Sequence, residues 1–180
     1  LQDERLALRL FDETARLGLH RLDEPPLDGE KALTPREILS YAALLHDIGY
    51  VEGYEGHHKT AFRLVTAEKI PGIGRQDRTL IALVARYHRG ATPDPEKHEP
   101  FAALSSQEQR KVARLGAILR FADGLDRSHT EAVQDLRCDL KGNRLIVRLI
   151  PGVNDESERL AGQKKARWFE SLFGVRVELR

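Results

Sequence analysis

The chain has 180 residues, of which 41% are hydrophobic and 32% are charged. This composition is typical of a soluble globular domain and argues against a disordered or a membrane-spanning protein. The 29 lysines and arginines nearly balance the 28 aspartates and glutamates, so net charge favours neither a nucleic acid nor a membrane as partner. A single cysteine, Cys138, excludes an intramolecular disulfide. Together with the lack of an apolar run of about 20 residues, this predicts a cytoplasmic protein.

The first 130 residues are predicted to form a helical body. Apolar residues recur at helical spacing in several segments. Two capping boxes, Thr34 with Glu37 and Ser105 with Glu108, mark the starts of two of these helices. The predicted helices span residues 3–18, 35 to about 49, 57–69, 75–89 and 105–126.

The last 50 residues have a different pattern. Residues 137–150 alternate around a Gly-Asn turn and predict a β-hairpin, residues 155–173 predict a helix, and Val175–Leu179 alternate as a short strand. We therefore expect a mainly α fold in which a helical domain over 1–130 carries a small hairpin-helix-strand extension over 131–180. The extension is expected to pack on the helical domain as one structural unit.

His46 and Asp47 lie side by side in the last turn of the second predicted helix. Adjacent helical residues project about 100° apart, so both reach one metal ion only if it lies in a crevice beside the helix. Imidazole and carboxylate together suit Mn, Mg, Fe or Zn and argue against a closed thiolate site. The dipeptide alone is a weak signal, because it occurs by chance in many proteins.

Two acids, Asp123 and Asp126, continue the apolar face of the helix over 105–126. An acid on a core-facing stripe is unfavourable unless it is paired or ligated. The pattern therefore indicates a nearby cation, which is either a metal ion or a buried arginine such as Arg120 or Arg127.

Inward-facing histidines on two other helices strengthen the metal alternative. His88 continues the apolar stripe of residues 81–84, and His58 is in register with Ala61 and Val65. Independent core histidines would explain either one alone. Convergence of several such residues from successive helices favours one metal or anion site.

The motifs AALLHDIGY, HHK, ARYHR and LRFADGLDRSH, in this order and spacing, resemble the HD domain. More closely, they resemble the carboxy-terminal HD-like domain of the exopolyphosphatase/guanosine-pentaphosphate phosphatase (Ppx/GppA) family, and the resemblance covers most of the chain. It implies an HD-type helical fold. In that family, polyphosphate hydrolysis is attributed to amino-terminal actin-like domains, which these 180 residues do not include.

The HD superfamily consists largely of metal-dependent phosphohydrolases, and the resemblance implies a set of metal ligands. The set consists of a first histidine, a central His-Asp pair, a closing aspartate and, in two-metal members, additional histidines. The Ala-Asp pattern of the superfamily selects Asp123 over Asp126 as the closing aspartate. The implied ligands are His20, His46, Asp47, Asp123, His57 or His58, and His88.

Four basic residues lie within a few positions of these ligands and would hold phosphate oxygens, although basic residues are also common on helix surfaces. They are Lys59, Arg86, Arg89 and Arg127. A bound metal would activate water for attack on phosphorus. Asp47, or a neighbouring carboxylate such as Asp126, would orient that water.

Two functions follow as hypotheses. The first is a metal-dependent phosphohydrolase acting on a nucleotide, polyphosphate or other phosphate ester or anhydride. The second is a non-catalytic polyphosphate- or guanosine-polyphosphate-binding module. Either one predicts a phosphate-bearing partner without a membrane or a specific nucleic acid, and a homodimer or an association with a phosphatase domain is compatible with both.

Overall fold

The computed structural model describes residues 2–22, 32–151 and 155–180, which form two compact units. We call the described part of Leu1–Leu22 with Ala117–Arg180 the terminal unit, and the described part of Asp23–Gly116 the central unit. In these ranges the chain forms seven α-helices and one three-stranded sheet. The predicted mainly α fold with a small carboxy-terminal sheet is thereby confirmed, whereas the domain boundary between 130 and 131 stays a prediction.

The first helix of the central unit, α2 (Pro35–Leu45), begins at the predicted capping box. The Thr34 hydroxyl accepts a hydrogen bond from the Glu37 amide at 3.2 Å, and the Glu37 carboxylate accepts one from the Thr34 amide at 2.7 Å. The helix ends at Leu45 and not near Gly49. His46 therefore follows α2 directly, and a short 3₁₀ helix, Ile48–Glu52, comes after Asp47.

Gly49 allows the 3₁₀ helix to approach the next helix, α3 (His57–Ala67), very closely. A Cβ atom at Gly49 would lie 2.0 Å from the His57 carbonyl oxygen and 2.9 Å from the Ala61 amide nitrogen. These atoms belong to the backbone and cannot rotate away. Only glycine therefore permits this contact between the segment after Asp47 and the start of α3.

Two further helices complete the central unit, and α6 crosses from it into the terminal unit. The Ser105–Glu108 capping box forms as predicted. The Ser105 hydroxyl accepts a hydrogen bond from the Glu108 amide, and the Glu108 carboxylate accepts one from the Ser105 amide. The short helix α5 lies between the predicted helices over 75–89 and 105–126. The bounds are α4 (Arg75–Arg86), α5 (Glu99–Ala102) and α6 (Ser106–Leu125).

The terminal unit contains α1 (Gln2–Arg16), the sheet and α7 (Glu156–Phe173). In the sheet, β1 pairs antiparallel with β2, as the predicted hairpin requires, and β2 pairs parallel with β3. The parallel pairing is possible because α7 provides the crossover between the two strands. The strands span Val133–Lys141 (β1), Arg144–Pro151 (β2) and Arg176–Leu179 (β3).

Candidate metal centre

Three histidines of the central unit have the same hydrogen bond: the Nδ1 atom of each ring contacts the backbone carbonyl oxygen three residues earlier. A carbonyl oxygen only accepts, so Nδ1 carries the proton and donates it. In the neutral ring, Nε2 then presents a lone pair. The contacts are His46 to Ala43 (2.8 Å), His57 to Tyr54 (2.9 Å) and His88 to Ala85 (2.6 Å).

The ends of the helices supply two of these carbonyls. Ala43 and Ala85 lie in the last turns of α2 and α4, where backbone carbonyls have no partner within the helix. A histidine that follows the last turn can satisfy such a carbonyl, and the hydrogen bond then orients its ring. The helix ends thus position His46 and His88 through the same local rule.

The three Nε2 atoms converge on the carboxylate of Asp47. His57 Nε2 lies 3.3 Å from Oδ1, His46 Nε2 lies 3.4 Å from Oδ2, and His88 Nε2 lies 3.8 Å from Oδ1. The Nε2 atoms of His57 and His88 are only 3.3 Å apart. We call these four residues the His–Asp cluster.

The His–Asp cluster brings groups that can bind a cation together in a buried position. Three imidazole nitrogens and one carboxylate face one another within a few ångströms, while the histidines are only 1–4% exposed. Negative and electron-rich groups repel in such a buried position unless a metal ion or added protons lie between them. The side chain of Asp47 is 29% exposed, so the cluster opens to solvent at its carboxylate.

His58 lies beside the cluster, but its ring has different surroundings. Its Nδ1 atom is buried without a hydrogen-bond partner among the described residues. Burial is the main cause that lowers the pKa of His58 to about 4, and His57 and the positive charges of Lys59, Arg86 and Arg89 contribute to the same shift. His58 is therefore neutral at pH 7 and lies in a basic environment.

Aromatic rings hold two of these basic residues. The Arg86 guanidinium lies over the Phe62 ring, 5.3 Å from its centroid, and the Arg89 guanidinium lies 4.8 Å from the centroid of Tyr54. Arg89 also donates a hydrogen bond to the Tyr54 hydroxyl at 2.9 Å. Lys59 is exposed at the start of α3. These contacts orient the two guanidinium groups and leave them positively charged.

Tyrosine rings line the cluster, which was not anticipated from the sequence. Tyr50 stacks on the His57 ring with centroids 4.2 Å apart and on Tyr54 with centroids 5.7 Å apart. Tyr50 is 40% exposed and Tyr54 is 58% exposed. The available signal was the spacing of these tyrosines in the glycine-rich segment before His57, but spacing does not show on which ring a loop tyrosine stacks.

The predicted first ligand, His20, lies in the terminal unit and has local partners there. Its Nε2 atom is 3.1 Å from the Phe11 carbonyl oxygen and 3.1 Å from the Thr14 hydroxyl. The Leu22 amide lies 3.4 Å from Nδ1. These contacts place the ring against α1, and the role of His20 as a metal ligand stays a prediction.

The predicted acids of α6 also belong to the terminal unit. Asp123 forms an ion pair with Lys165 of α7, so its cation is a lysine that neither sequence alternative named, while Arg120 lies over the Trp168 ring at 4.9 Å. Asp123 and the exposed Arg127 stay predicted site residues.

Asp126 directly follows α6 and is 4% exposed. Burial raises its pKa, and the neighbouring His129 opposes this rise. His129 Nδ1 lies 3.6 Å from Asp126 Oδ2, whereas Oδ1 of Asp126 has no hydrogen-bond partner among the described residues. Asp123 thus has a lysine as ion-pair partner, whereas one carboxylate oxygen of Asp126 lacks a hydrogen-bond partner among the described residues.

A comparison with protein families agrees with the sequence motifs. The family model described as Ppx/GppA phosphatase, domain III, matches residues 4–158. The chain belongs to this family. The match relates the protein to exopolyphosphatases and guanosine-pentaphosphate phosphatases, and it includes every residue of the His–Asp cluster. Of the helices in the described ranges, none has both the length and the apolar character needed to cross a bilayer.

Proposed function

We propose that the His–Asp cluster binds a divalent metal ion and that the protein is an HD-type, metal-dependent phosphohydrolase. The observation that supports this proposal best is the convergence of three Nε2 atoms, each held as an acceptor by its Nδ1 hydrogen bond, on one carboxylate. The substrate would be a phosphate ester or anhydride, such as a nucleotide or polyphosphate, in keeping with the Ppx/GppA family.

The donor set fits a transition metal. Three imidazole nitrogens and one carboxylate suit Zn, Fe or Mn, whereas Mg is bound mainly through oxygen and water. His57 is the proposed ligand in preference to His58, because its Nε2 atom lies 3.3 Å from Asp47 Oδ1. The backbone carbonyls that receive the Nδ1 protons would keep all three rings in the tautomer that metal binding needs.

The surrounding residues supply the other functions of a phosphohydrolase. A metal ion bound here would activate a water molecule and stabilise the charge that develops on phosphate. Asp47, as the cluster member open to solvent, would orient that water. Lys59, Arg86 and Arg89 would bind non-bridging phosphate oxygens, and the two arginines are already oriented by aromatic rings.

A second candidate is a non-catalytic module that binds polyphosphate or a guanosine polyphosphate. Two observations favour it: the match to domain III of a phosphatase family, and the ion pair of Asp123 with Lys165, which differs from the metal-ligand role that the HD resemblance implies. Such a module would use the same basic residues for binding, and it would serve a phosphatase domain without hydrolysing the ligand itself.

Metal content and phosphate release distinguish these candidates. The protein, purified without chelator, is expected to contain about one equivalent or more of metal and to release phosphate from a nucleotide or polyphosphate when Mn²⁺ is added. Asp47→Asn and His88→Gln should lose phosphate release and one equivalent of bound metal, and Glu55→Gln, an exposed acid before α3, should retain both. Metal binding without phosphate release would favour the module, and polyphosphate binding that is equal in EDTA with no bound metal would reject the metal centre.

A further inference from the structure

A second group of potential metal ligands lies in the terminal unit. Asp3, Asp126 and His129 offer ligand atoms that all lie within 4.8 Å of one another. Asp3 belongs to the first turn of α1, whereas Asp126 and His129 follow α6 at the other end of the sequence. Only folding of the terminal unit brings these three side chains together. We call them the Asp3–Asp126–His129 group.

Two of the three ligands are carboxylates that the fold removes from water. Asp3 is 7% exposed and Asp126 is 4% exposed. Two carboxylates so close in a buried position repel each other unless a cation or a shared proton lies between them. The arrangement therefore differs from a cluster of surface acids, whose charges are screened by solvent.

One carboxylate oxygen of the group is buried without a hydrogen bond. Oδ1 of Asp126 is fully buried and has no hydrogen-bond partner among the residues that the structure describes. Buried polar atoms are nearly always paired, because an unpaired one loses its contacts with water and gains nothing in return. A ligand at this position would supply the missing contact.

The third member provides a nitrogen ligand at the open side of the group. His129 Nδ1 lies 3.6 Å from Asp126 Oδ2, and its side chain is 55% exposed. At this distance the ring is too far away for a strong hydrogen bond with the carboxylate. The exposed side of His129 gives an ion a path into the group.

We propose that the Asp3–Asp126–His129 group is a second metal site, which binds a divalent cation that accepts both carboxylate oxygen and imidazole nitrogen, such as Zn²⁺ or Mn²⁺. Ca²⁺ prefers oxygen ligands alone and would bind less tightly. Three protein ligands leave coordination positions for water. Its three ligands are different residues from the four members of the His–Asp cluster.

Titration of the whole chain with Zn²⁺ tests the site. After treatment with a chelator and buffer exchange, the wild-type protein is expected to bind two equivalents by calorimetry, and Asp126→Asn one. Asp12→Asn removes an exposed acid from the same helix as Asp3 and is the matched control, which should still bind two. In Asp47→Asn, which disables the His–Asp cluster, the remaining equivalent should belong to the Asp3–Asp126–His129 group.

A variant of the exposed ligand His129 tests the site even if Asp126→Asn does not fold. His129 has a positive φ of 53°, a conformation that asparagine also tolerates. His129→Asn therefore keeps the backbone and removes the imidazole. Added to Asp47→Asn, it should weaken binding of the remaining Zn²⁺ by at least ~10-fold, which corresponds to about 1.4 kcal/mol.

Three results would overturn the proposal. The first is that Asp47→Asn binds no Zn²⁺, and the second is that adding His129→Asn to Asp47→Asn leaves the Zn²⁺ affinity unchanged. The third is that Asp126→Asn binds as much Zn²⁺ as the wild type and unfolds at a higher temperature, which would show that the two carboxyl groups share a proton. If only the His–Asp cluster does not bind metal, the wild-type protein should bind one equivalent of Zn²⁺, and Asp126→Asn should bind none.

Discussion

Glu13 and Glu158 of the terminal unit and the histidines of the His–Asp cluster of the central unit are all buried ionisable groups, but their neighbours differ. The two glutamates are surrounded by donors, so each carboxylate has the complementary groups that it needs. In the His–Asp cluster, three imidazole Nε2 atoms face the carboxylate of Asp47. Burial is similar in both places, and the difference is whether the neighbours complement the buried group.

Glu13 illustrates the complete arrangement. Its carboxylate accepts hydrogen bonds from the Arg16 guanidinium at 2.8 Å, from the Cys138 amide at 2.9 Å and from Arg137 at 3.4 Å. Burial alone would raise the pKa of Glu13, but these donors outweigh it and hold the pKa below its ordinary value of 4.5. Such a group contributes to stability and leaves no position for a ligand.

The comparison shows that burial by itself does not identify a functional site. The buried Cys138 makes the same point, because burial and the charge of Glu13 raise its pKa to about 12 and leave an unreactive thiol. A candidate site is indicated where buried nitrogen and oxygen atoms that can bind a metal ion converge. The following predictions test this distinction.

The largest effect is expected in metal binding by the central unit. Asp47→Asn removes the carboxylate on which three Nε2 atoms converge, so Zn²⁺ affinity at the His–Asp cluster should fall by more than the ~100-fold that follows loss of an outer-shell partner. This corresponds to more than about 2.8 kcal/mol. Calorimetry measures the affinity, and the free energy of unfolding in EDTA should hardly change. If Asp47→Asn greatly lowers the free energy of unfolding in EDTA, Asp47 has a structural role like that of Glu13.

Glu13→Gln is the matching change in the terminal unit and should act on stability alone. It weakens hydrogen bonds to a charged carboxylate that is 5% exposed, which should lower the free energy of unfolding by about 1.5–3 kcal/mol. Trp168 is the only tryptophan and lies in the terminal unit, so its fluorescence during urea unfolding measures the effect. Asp12→Asn is the exposed control. Unchanged stability of Glu13→Gln would contradict the comparison.

Gly49→Ala should disturb the His–Asp cluster through the backbone. The added Cβ would lie 2.0 Å from the His57 carbonyl oxygen, and α3 must shift to accommodate it, at a cost of about 1–3 kcal/mol. Hydrogen exchange of the α3 peptides should increase, and Zn²⁺ affinity should fall with it. Gly74→Ala is the control, because a Cβ there has nothing within 4 Å. Equal behaviour of the two variants would mean that the contact at Gly49 does not position His57.

The smallest effect concerns acid pH. Glu158 is 1% exposed and accepts a hydrogen bond from the Ser128 amide at 2.9 Å. Burial alone would raise the pKa of Glu158, but hydrogen bonds from Ser128 outweigh it, so Glu158, like Glu13, has a folded-state pKa below 4.5. A lowered pKa stabilises the folded state above the unfolded-state pKa, and this contribution is lost as pH falls through the folded value.

Unfolding followed by Trp168 fluorescence should therefore show stability that decreases below about pH 4.5. The decrease should be smaller in a Glu13→Gln, Glu158→Gln double variant, because both titrating groups are absent. An identical decrease in the wild type and the double variant would contradict the prediction.

The sequence predicted the elements of the fold well, because their signals are local. The capping boxes at Thr34 and Ser105 start α2 and α6 where expected, and the Gly-Asn turn forms the hairpin. The end of α2 was misplaced by about one turn. After Leu45 the chain turns into a 3₁₀ helix that approaches α3 at Gly49, and no pattern within α2 reveals this contact between segments.

One member of the site, His57, shows where prediction stopped. Periodicity placed His58 on the inward face of its helix, and the HD resemblance left His57 and His58 as alternative ligands, whereas in the structure His57 is the buried residue, only 1% exposed. Adjacent residues of a helix differ by about 100° in direction, so the choice depends on what packs against the start of α3. In the structure Nε2 of His57 lies at Asp47, and Nδ1 of His57 donates to the Tyr54 carbonyl.

By itself, the sequence determined the helical fold with its small sheet, the Ppx/GppA family and the residue types of the candidate metal centre. Tertiary structure alone decided that Asp3 lies beside Asp126, that Lys165 pairs with Asp123 and that three Nε2 atoms meet at one carboxylate. The reason is that hydrogen bonding and periodicity along one segment set the conformation and the buried face of that segment. Distances between side chains of different segments depend on how those segments pack, and each of these contacts joins residues from different segments.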